Sequence, residues 1–301
     1  SIPFVWHQVG DDINAESEDD RSGWSVSLSG DGSTVAIGAI YNDGNGDASG
    51  HTRIYQDING TWQQIGDDID GEYSGDLSGA SVSFSDDGSV LAIGTPYNSG
   101  NGSSSGHVRL YENNNGTWVQ IGNDIDGEAE GDYSAYEVSL SADGQIVAIG
   151  AVNNDDNGEN SGHVRIYRNI DGSWYQVGVD IDGEFEGDHS GHSVSLSDDG
   201  NVVAIGAPVN DGNGNASGHV RIYKNNNGTW VQIGDDIYGE AEGDQVGSRG
   251  TVSLSADGQT VAIGAVYNDE NGHVSGHVRI FENTNGSWQQ IGDDIDGEHS
   301  G

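Results

Sequence analysis

The chain has 301 residues, no Cys, and 50 acidic side chains against 9 basic ones, for a formal charge of −41. Such a surface repels phosphate backbones and anionic headgroups, which sets aside nucleic acid and membrane insertion and leaves cations, glycans or a basic protein face. Without thiols there is neither a disulfide framework nor cysteine redox chemistry, and 50 Gly with 3 Pro stays below the content of low-complexity disorder, so Gly reads as turn punctuation.

At the N-terminus, SIPFVWHQVG has neither the basic nor the apolar region of a signal peptide, and no run of 18 apolar residues follows. Trp6 opens a series that continues at Trp62, Trp118, Trp174, Trp230 and Trp288, with steps of 56, 56, 56, 56 and 58 residues. A second series, His51, His107, His163, His219 and His277, each after Ser-Gly, keeps the same register. The expected organisation is one repeat domain over 1–301, with units 6–61, 62–117, 118–173, 174–229 and 230–287 and a partial sixth unit, 288–301. The two extra residues fall between Asp244 and Val252, where QVGSRGT lengthens a loop.

The second unit shows the predicted elements in order. SVSFS from 81 is followed, after an Asp-Gly turn, by VLAIGT from 90, then HVRLY from 107 and, after an Asn-Gly turn, TWVQIG from 117. Short alternating runs bounded by Gly, Asn and Asp are half-buried strands, and Asp-Gly and Asn-Gly supply the positive φ of tight hairpins. No segment has a helical period. A four-stranded meander cannot cover both of its faces alone, so the expected fold is an all-β, five-bladed β-propeller of four-stranded antiparallel blades, with an open linear stack as the alternative.

SGHSVSLSDDG from 190, AIGAP from 204 and SGHVRIY from 217 follow one another in an order that resembles the FG-GAP repeat of integrin α-chain N-terminal propellers. The resemblance extends over all five units and implies an extracellular propeller. It departs in two ways. The family's Asp-rich calcium loop between the first two strands is here a tight turn such as SDDG from 197, so calcium does not carry over at that loop. Integrin-type propellers also have seven blades, so the blade number rests on this sequence.

The acidic joint after each Trp strand is the candidate calcium site: Asp70, Glu72 and Asp76; Asp126, Glu128 and Asp132; Asp182, Glu184 and Asp188. Carboxylates and backbone carbonyls around a Gly turn suit a hard cation, and a solvated acidic rim is the plainer account. NDGNGDASG from 42, with Asp43, Asn45 and Asp47, reads instead as Gly-driven turn chemistry, because its counterpart NSGNGSSSG from 98 has no carboxylate. Arg53, Arg109, Arg165, Arg221 and Arg279 each lie two residues after a repeat His, on one strand face. They are expected to form a structural ion-pair ring with the Gly-Asp-Asp segments, an axial anion site being the alternative. The recurring Trp reads as inter-blade packing rather than as a sugar platform.

Six sequons, at Asn59, Asn101, Asn115, Asn215, Asn227 and Asn285, are candidate N-glycosylation sites, four of them in the hairpin before a Trp. WHQVGDDI from 6 and WQQIGDDI from 288 are one element present twice. Either one copy completes the other's blade, or the spare copy pairs with a neighbouring molecule, or the protein continues past Gly301. Near-identical units argue against a single active site, so no catalytic residue is assigned and the expected protein is not an enzyme. The expected role is adhesion or structural assembly outside the cell, with calcium as cofactor and an extracellular protein or glycan as partner. A multivalent lectin with one sugar site per blade and a filament subunit joined by terminal strand exchange are the alternatives.

Overall fold

The computed structural model describes residues 7–297, so Trp6 and the last four residues of the partial sixth unit lie outside it. The first repeat folds as β1 (Ser22–Leu28), β2 (Thr34–Ala39), β3 (His51–Asp57), β4 (Trp62–Gln64) and the short β5 (Ile69–Asp70). The order in the sheet is β1-β2-β3-β4, all antiparallel, and β5 returns to pair His51↔Asp70 and Thr52↔Ile69 at the far end of β3. The same five strands recur in four further sheets. Each sheet runs from the middle of one Trp-to-Trp unit into the first strand of the next, because the Trp strand is the outer edge of the sheet before it.

The alternation of strand residues becomes core between sheets. Ala36, Ile54 and Ile69 of the first sheet pack against Val82, Phe84, Leu91 and Ile93 of the second, and the pattern repeats between sheets two and three, three and four, and four and five. Trp118, Trp174, Trp230 and Trp288 each seal one of these seams: Trp118 Nε1 donates to the Ile65 carbonyl at 3.3 Å, Trp174 to Ile121 at 3.1 Å and Trp230 to Val177 at 2.8 Å. The innermost strands are tied by serines, as where Leu140 N donates to Ser83 Oγ at 2.9 Å.

The expectation of a closed five-bladed ring is overturned. Five sheets form four interfaces, and the fifth, between last and first, is not made. Val26 and Leu28 of β1 are 63% and 58% exposed, whereas their counterparts Val82 and Phe84 are 8% and 7% exposed. At the other end Ile295 is 59% exposed and its counterpart Ile237 is 6% exposed. Glycine chemistry tells the same story. A Cβ at Gly38, Gly150 or Gly206 would stand 2.1, 2.1 or 2.2 Å from a backbone oxygen of the following sheet, but at Gly264 the nearest atom is Thr251 of its own sheet, at 3.2 Å. The molecule is an open, curved stack. Among the described residues, the fifth sheet has its own Trp strand, Ser287–Gln290, and no segment of 7–21 joins a sheet.

Curvature brings one residue across the axis. Arg249, in the lengthened loop before the fifth sheet, lies with Nε 3.3 Å from Glu137 Oε2 of the third sheet, and its Nη2 donates to the Ala80 carbonyl of the second. Its guanidinium stands 4.6 Å from the Tyr136 ring centroid and 5.9 Å from that of Trp24.

Candidate functional site

Three segments of each repeat converge beside the first residue of the third strand. In the first sheet these are Glu16 from the preceding joint, His51 at the head of β3, and Asp68 from the segment after β4. The clusters recur as Glu72, His107 and Asp124; Glu128, His163 and Asp180; Glu184, His219 and Asp236; and Glu240, His277 and Asp294. Asp156 joins the third and Glu270 the fifth. Within each cluster the candidate ligand atoms lie within 4.8 Å of one another.

The pairing of β5 with β3 explains the placement, since it pulls the acidic joint back alongside the His. Every imidazole is buried, and Nδ1 stands 3.6 to 3.9 Å from the carboxylate oxygens, beyond hydrogen-bond reach. Nδ1 of His51, His163, His219 and His277 has no hydrogen-bond partner, and neither does Nε2 of all five. Burial, reinforced by the neighbouring Arg, holds His107, His163 and His219 down to about 4, so these rings are neutral at neutral pH.

Both carboxylates are steered by one oxygen and present the other. Glu16 Oε1 lies 3.7 Å from Arg53 Nη1 while Oε2 faces the His. Asp68 Oδ1 accepts from Gln64 Nε2 at 2.6 Å while Oδ2 faces the His. Gln120, Gln176, Gln232 and Gln290 repeat the second contact. Outer groups thus orient carboxylate oxygens that could coordinate a metal ion together with the His. The fourth cluster differs, because Asp236 Oδ2 also accepts from the Tyr238 hydroxyl at 2.9 Å, a contact that with burial pushes the phenol up to about 12.

The five repeat arginines are buried, and each lies 3.4 to 4.0 Å from the Glu of the preceding joint rather than beside the Gly-Asp-Asp segment. Their Nη2 groups donate to the backbone oxygens of Asn14, Asp70, Asp126, Asp182 and Tyr238. The three carboxylates of a joint are not gathered around one point. Glu72, Glu128 and Glu184 go to the His clusters, whereas Asp76, Asp132 and Asp188 are buried turn-closing groups. Asp76 Oδ2, for instance, accepts from Tyr73 N and from Asn98 Nδ2, both at 3.0 Å. Asp70, Asp126 and Asp182 sit in the short fifth strands, where burial raises their carboxyls.

In the NDGNGDASG loop Asp43 Oδ1 accepts from Ala48 N at 2.8 Å, and Asn45 Nδ2 donates to the Gly71 and Glu72 carbonyls. Of the sequon residues, Asn59, Asn115, Asn227 and Asn285 are exposed at left-handed turn positions, and Asn215 is exposed on its loop. Asn101 already donates its amide to the Gly127 carbonyl at 2.8 Å.

The expectation of a non-catalytic adhesion or structural module is corrected by these clusters. They were missed because Glu, His and Asp come from segments 35 and 17 residues apart. A usable signal was present, since the three types recur at that spacing in the first four repeats and at 37 and 17 in the lengthened fifth. They are metal-ligand sets in general terms, and nothing in them specifies calcium.

A family model described as FG-GAP repeat matches residues 15–55. No curated protein sequence matches the chain. Among solved structures, the chain is similar to the periplasmic gluconolactonase of Pseudomonas aeruginosa, with TM-score 0.59 and 18% identity, over 96% of this chain and 75% of that one. It is also similar to the hydrazine synthase of Kuenenia stuttgartiensis, with TM-score 0.58 and 12% identity, over 93% and 68%. A putative 6-phosphogluconolactonase of Bacteroides uniformis gives TM-score 0.54 and 13% identity, over 91% and 85%. At these identities the likeness is one of fold: a repeated β-sheet architecture of the propeller-like kind that enzymes also use.

Proposed function

We propose that each repeat binds one divalent transition-metal ion between its Glu, His and Asp, and that this array serves hydrolysis of an ester or lactone. One observation carries the reading: a buried imidazole faces two pre-oriented carboxylates five times over, and in four of the five the facing Nδ1 has no hydrogen-bond partner. Imidazole suits Zn2+, Mn2+ or Fe2+, whereas Ca2+ prefers sets made wholly of oxygen, so calcium is the weaker candidate. When bound, the ion supplies Lewis-acid polarisation.

The chain's own residues do the rest. The His offers a ring nitrogen, Arg and Gln hold one oxygen of each carboxylate, and the partly exposed Glu leaves a side open to water and substrate. The fold likeness to two lactonases supports the hydrolytic class, and the periplasmic location of one supports a site of action outside the cytoplasm. The FG-GAP match over 15–55, carried through the chain by its self-similarity, supports the same repeat type in all five units.

The test is calorimetric titration of chelator-treated protein with Zn2+, Mn2+ and Ca2+, beside an assay of δ-lactone hydrolysis. Five sites per chain that prefer a transition metal, four in His163→Ala, and hydrolysis lost on chelation are expected. Absence of binding, or binding indifferent to His163→Ala, refutes the metal assignment. Hydrolysis that survives chelation refutes the catalytic one.

A further inference from the structure

The repeats are close copies, yet three positions break the equivalence. The residue two before the valine of each first strand (Val26, Val82, Val138, Val194 and Val252) is Trp24, Ala80, Tyr136, His192 and Gly250 in turn. Three residues earlier in the first four repeats, and five earlier in the lengthened last one, stand Arg21, Leu77, Tyr133, His189 and Gln245. After the Ile-Gly strand come Tyr41, Tyr97, Asn153, Val209 and Tyr267. By contrast, the repeat His, Arg and Trp are the same in all five copies. Eight of these fifteen residues, from Tyr97 to Gln245, meet at one end of the axis, where sheets two to five line a cleft of about 420 Å3.

From this geometry we infer that the axial cleft is a single binding site for a neutral monosaccharide. In a chain with 50 acidic residues, the cleft has no Asp, Glu, Lys or Arg among its lining residues. The cation nearest to it, Arg249 against Tyr136, is neutralised by Glu137. An anion would therefore meet no free positive charge there, and a cation no carboxylate. What the cleft offers is aromatic surface with uncharged hydrogen-bonding groups.

Tyr97 and Tyr133 meet edge to face with centroids 5.0 Å apart, and Tyr136 and His192 stand 4.8 Å apart. His189 Nδ1 lies 3.0 Å from the Val152 carbonyl, which can only accept, so Nδ1 donates there and Nε2 is free of that contact. Burial, with His189 and Arg249 nearby, holds His192 down to about 4 and so uncharged. Gln245 adds an amide. Tyrosine faces for the C–H surfaces of a pyranose, with mixed donors and acceptors for its hydroxyls, are what a sugar requires, and the volume lies within the ordinary range for small-ligand sites. One such site per chain differs from a lectin with one site per blade, and it does not depend on the metal clusters.

The experiment is calorimetry, with ligand-observed NMR, on chelator-treated protein against glucose, galactose, mannose, gluconate and adenosine. The expected result is saturable binding of a neutral sugar at one site per chain, in the millimolar range. Tyr97→Ala and His189→Ala, both at the rim, should each weaken it by about threefold to tenfold, while His163→Ala leaves it unchanged. The inference is overturned if no neutral sugar saturates by about 50 mM, well above that range. It is equally overturned by five sites per chain, by binding of gluconate or adenosine alone, or by affinity indifferent to both rim variants. Metal titration of the same samples reads the cluster assignment separately.

Discussion

Glu137→Gln isolates the carboxylate that pairs with Arg249. The Glu137 side chain is 19% exposed, and burial pushes its carboxyl up to about 6, against the pull of Arg249 and the Ser81 hydroxyl. A carboxyl raised from the ordinary 4.5 to about 6 binds a proton more readily in the folded chain than in the unfolded one. Its favourable contribution is therefore complete below pH 4.5 and is lost as pH rises through about 6. The shift corresponds to about 2 kcal/mol. Urea unfolding of wild type and E137Q, followed by Trp fluorescence at acid and neutral pH, should show their stability difference moving by about 2 kcal/mol in favour of E137Q on going to neutral pH. The large acidic surface changes both proteins' stability with pH, but it cancels in the difference. A gap that stays constant with pH would refute the buried, raised carboxyl.

Val82→Ala should cost about 1–3 kcal/mol and Val26→Ala under about 0.5 kcal/mol, since the same repeat position is 8% exposed in one sheet and 63% in the other. Equal costs by urea unfolding would mean that the ends are covered in solution. Gly150→Ala should destabilise strongly, because its Cβ would stand 2.1 Å from the Gly191 carbonyl, while Gly264→Ala, with 3.2 Å to the nearest atom, should shift the midpoint little. Trp174→Phe removes the 3.1 Å bond to the Ile121 carbonyl and should cost about 1 kcal/mol beyond the packing loss, read against Trp174→Tyr. Of the five clusters, the fourth should bind a metal ion most weakly, and Tyr238→Phe should raise its affinity, because Asp236 Oδ2 is shared with the Tyr238 hydroxyl.

The sheets were legible in the sequence because their determinants are local. Alternation in HVRLY and VLAIGT sets the faces, and Asp-Gly and Asn-Gly set the turns, so register follows within a few residues of each turn. Closure was not legible. It depends on the rotation from one sheet to the next, a property of four accumulated interfaces that no short segment carries. The clusters fell between these cases. His51 was visible as a repeat marker, but its company depends on β5 folding back onto the head of β3, a two-residue pairing too short to read from alternation. Glu72 therefore looked like a neighbour of Asp70 and Asp76, close in sequence, when it serves His107, 35 residues away.

Repetition and its failure divide the molecule physically. Away from the axis, each His cluster needs only its own sheet and the joint before it, so copying a repeat copies a site, and five equal sites cost nothing beyond five equal repeats. At the axis no such economy exists. Several sheets contribute side chains to a shared space, and identical contributions would place like groups against one another, which for charged or bulky residues is unfavourable. Trp24, Ala80, Tyr136 and His192 differ from one another for that reason, and the lengthened loop sends Arg249 in as the partner that lets Glu137 stay partly buried. Removing Arg249 therefore tests the division itself. Arg249→Met should leave Glu137 without its counter-ion and destabilise the chain at neutral pH by about 3–5 kcal/mol, less at acid pH, where the carboxyl is protonated. The His clusters, formed within and between neighbouring sheets away from the axis, should keep their metal stoichiometry. Loss of both together would show that the axis and the repeats are one cooperative unit.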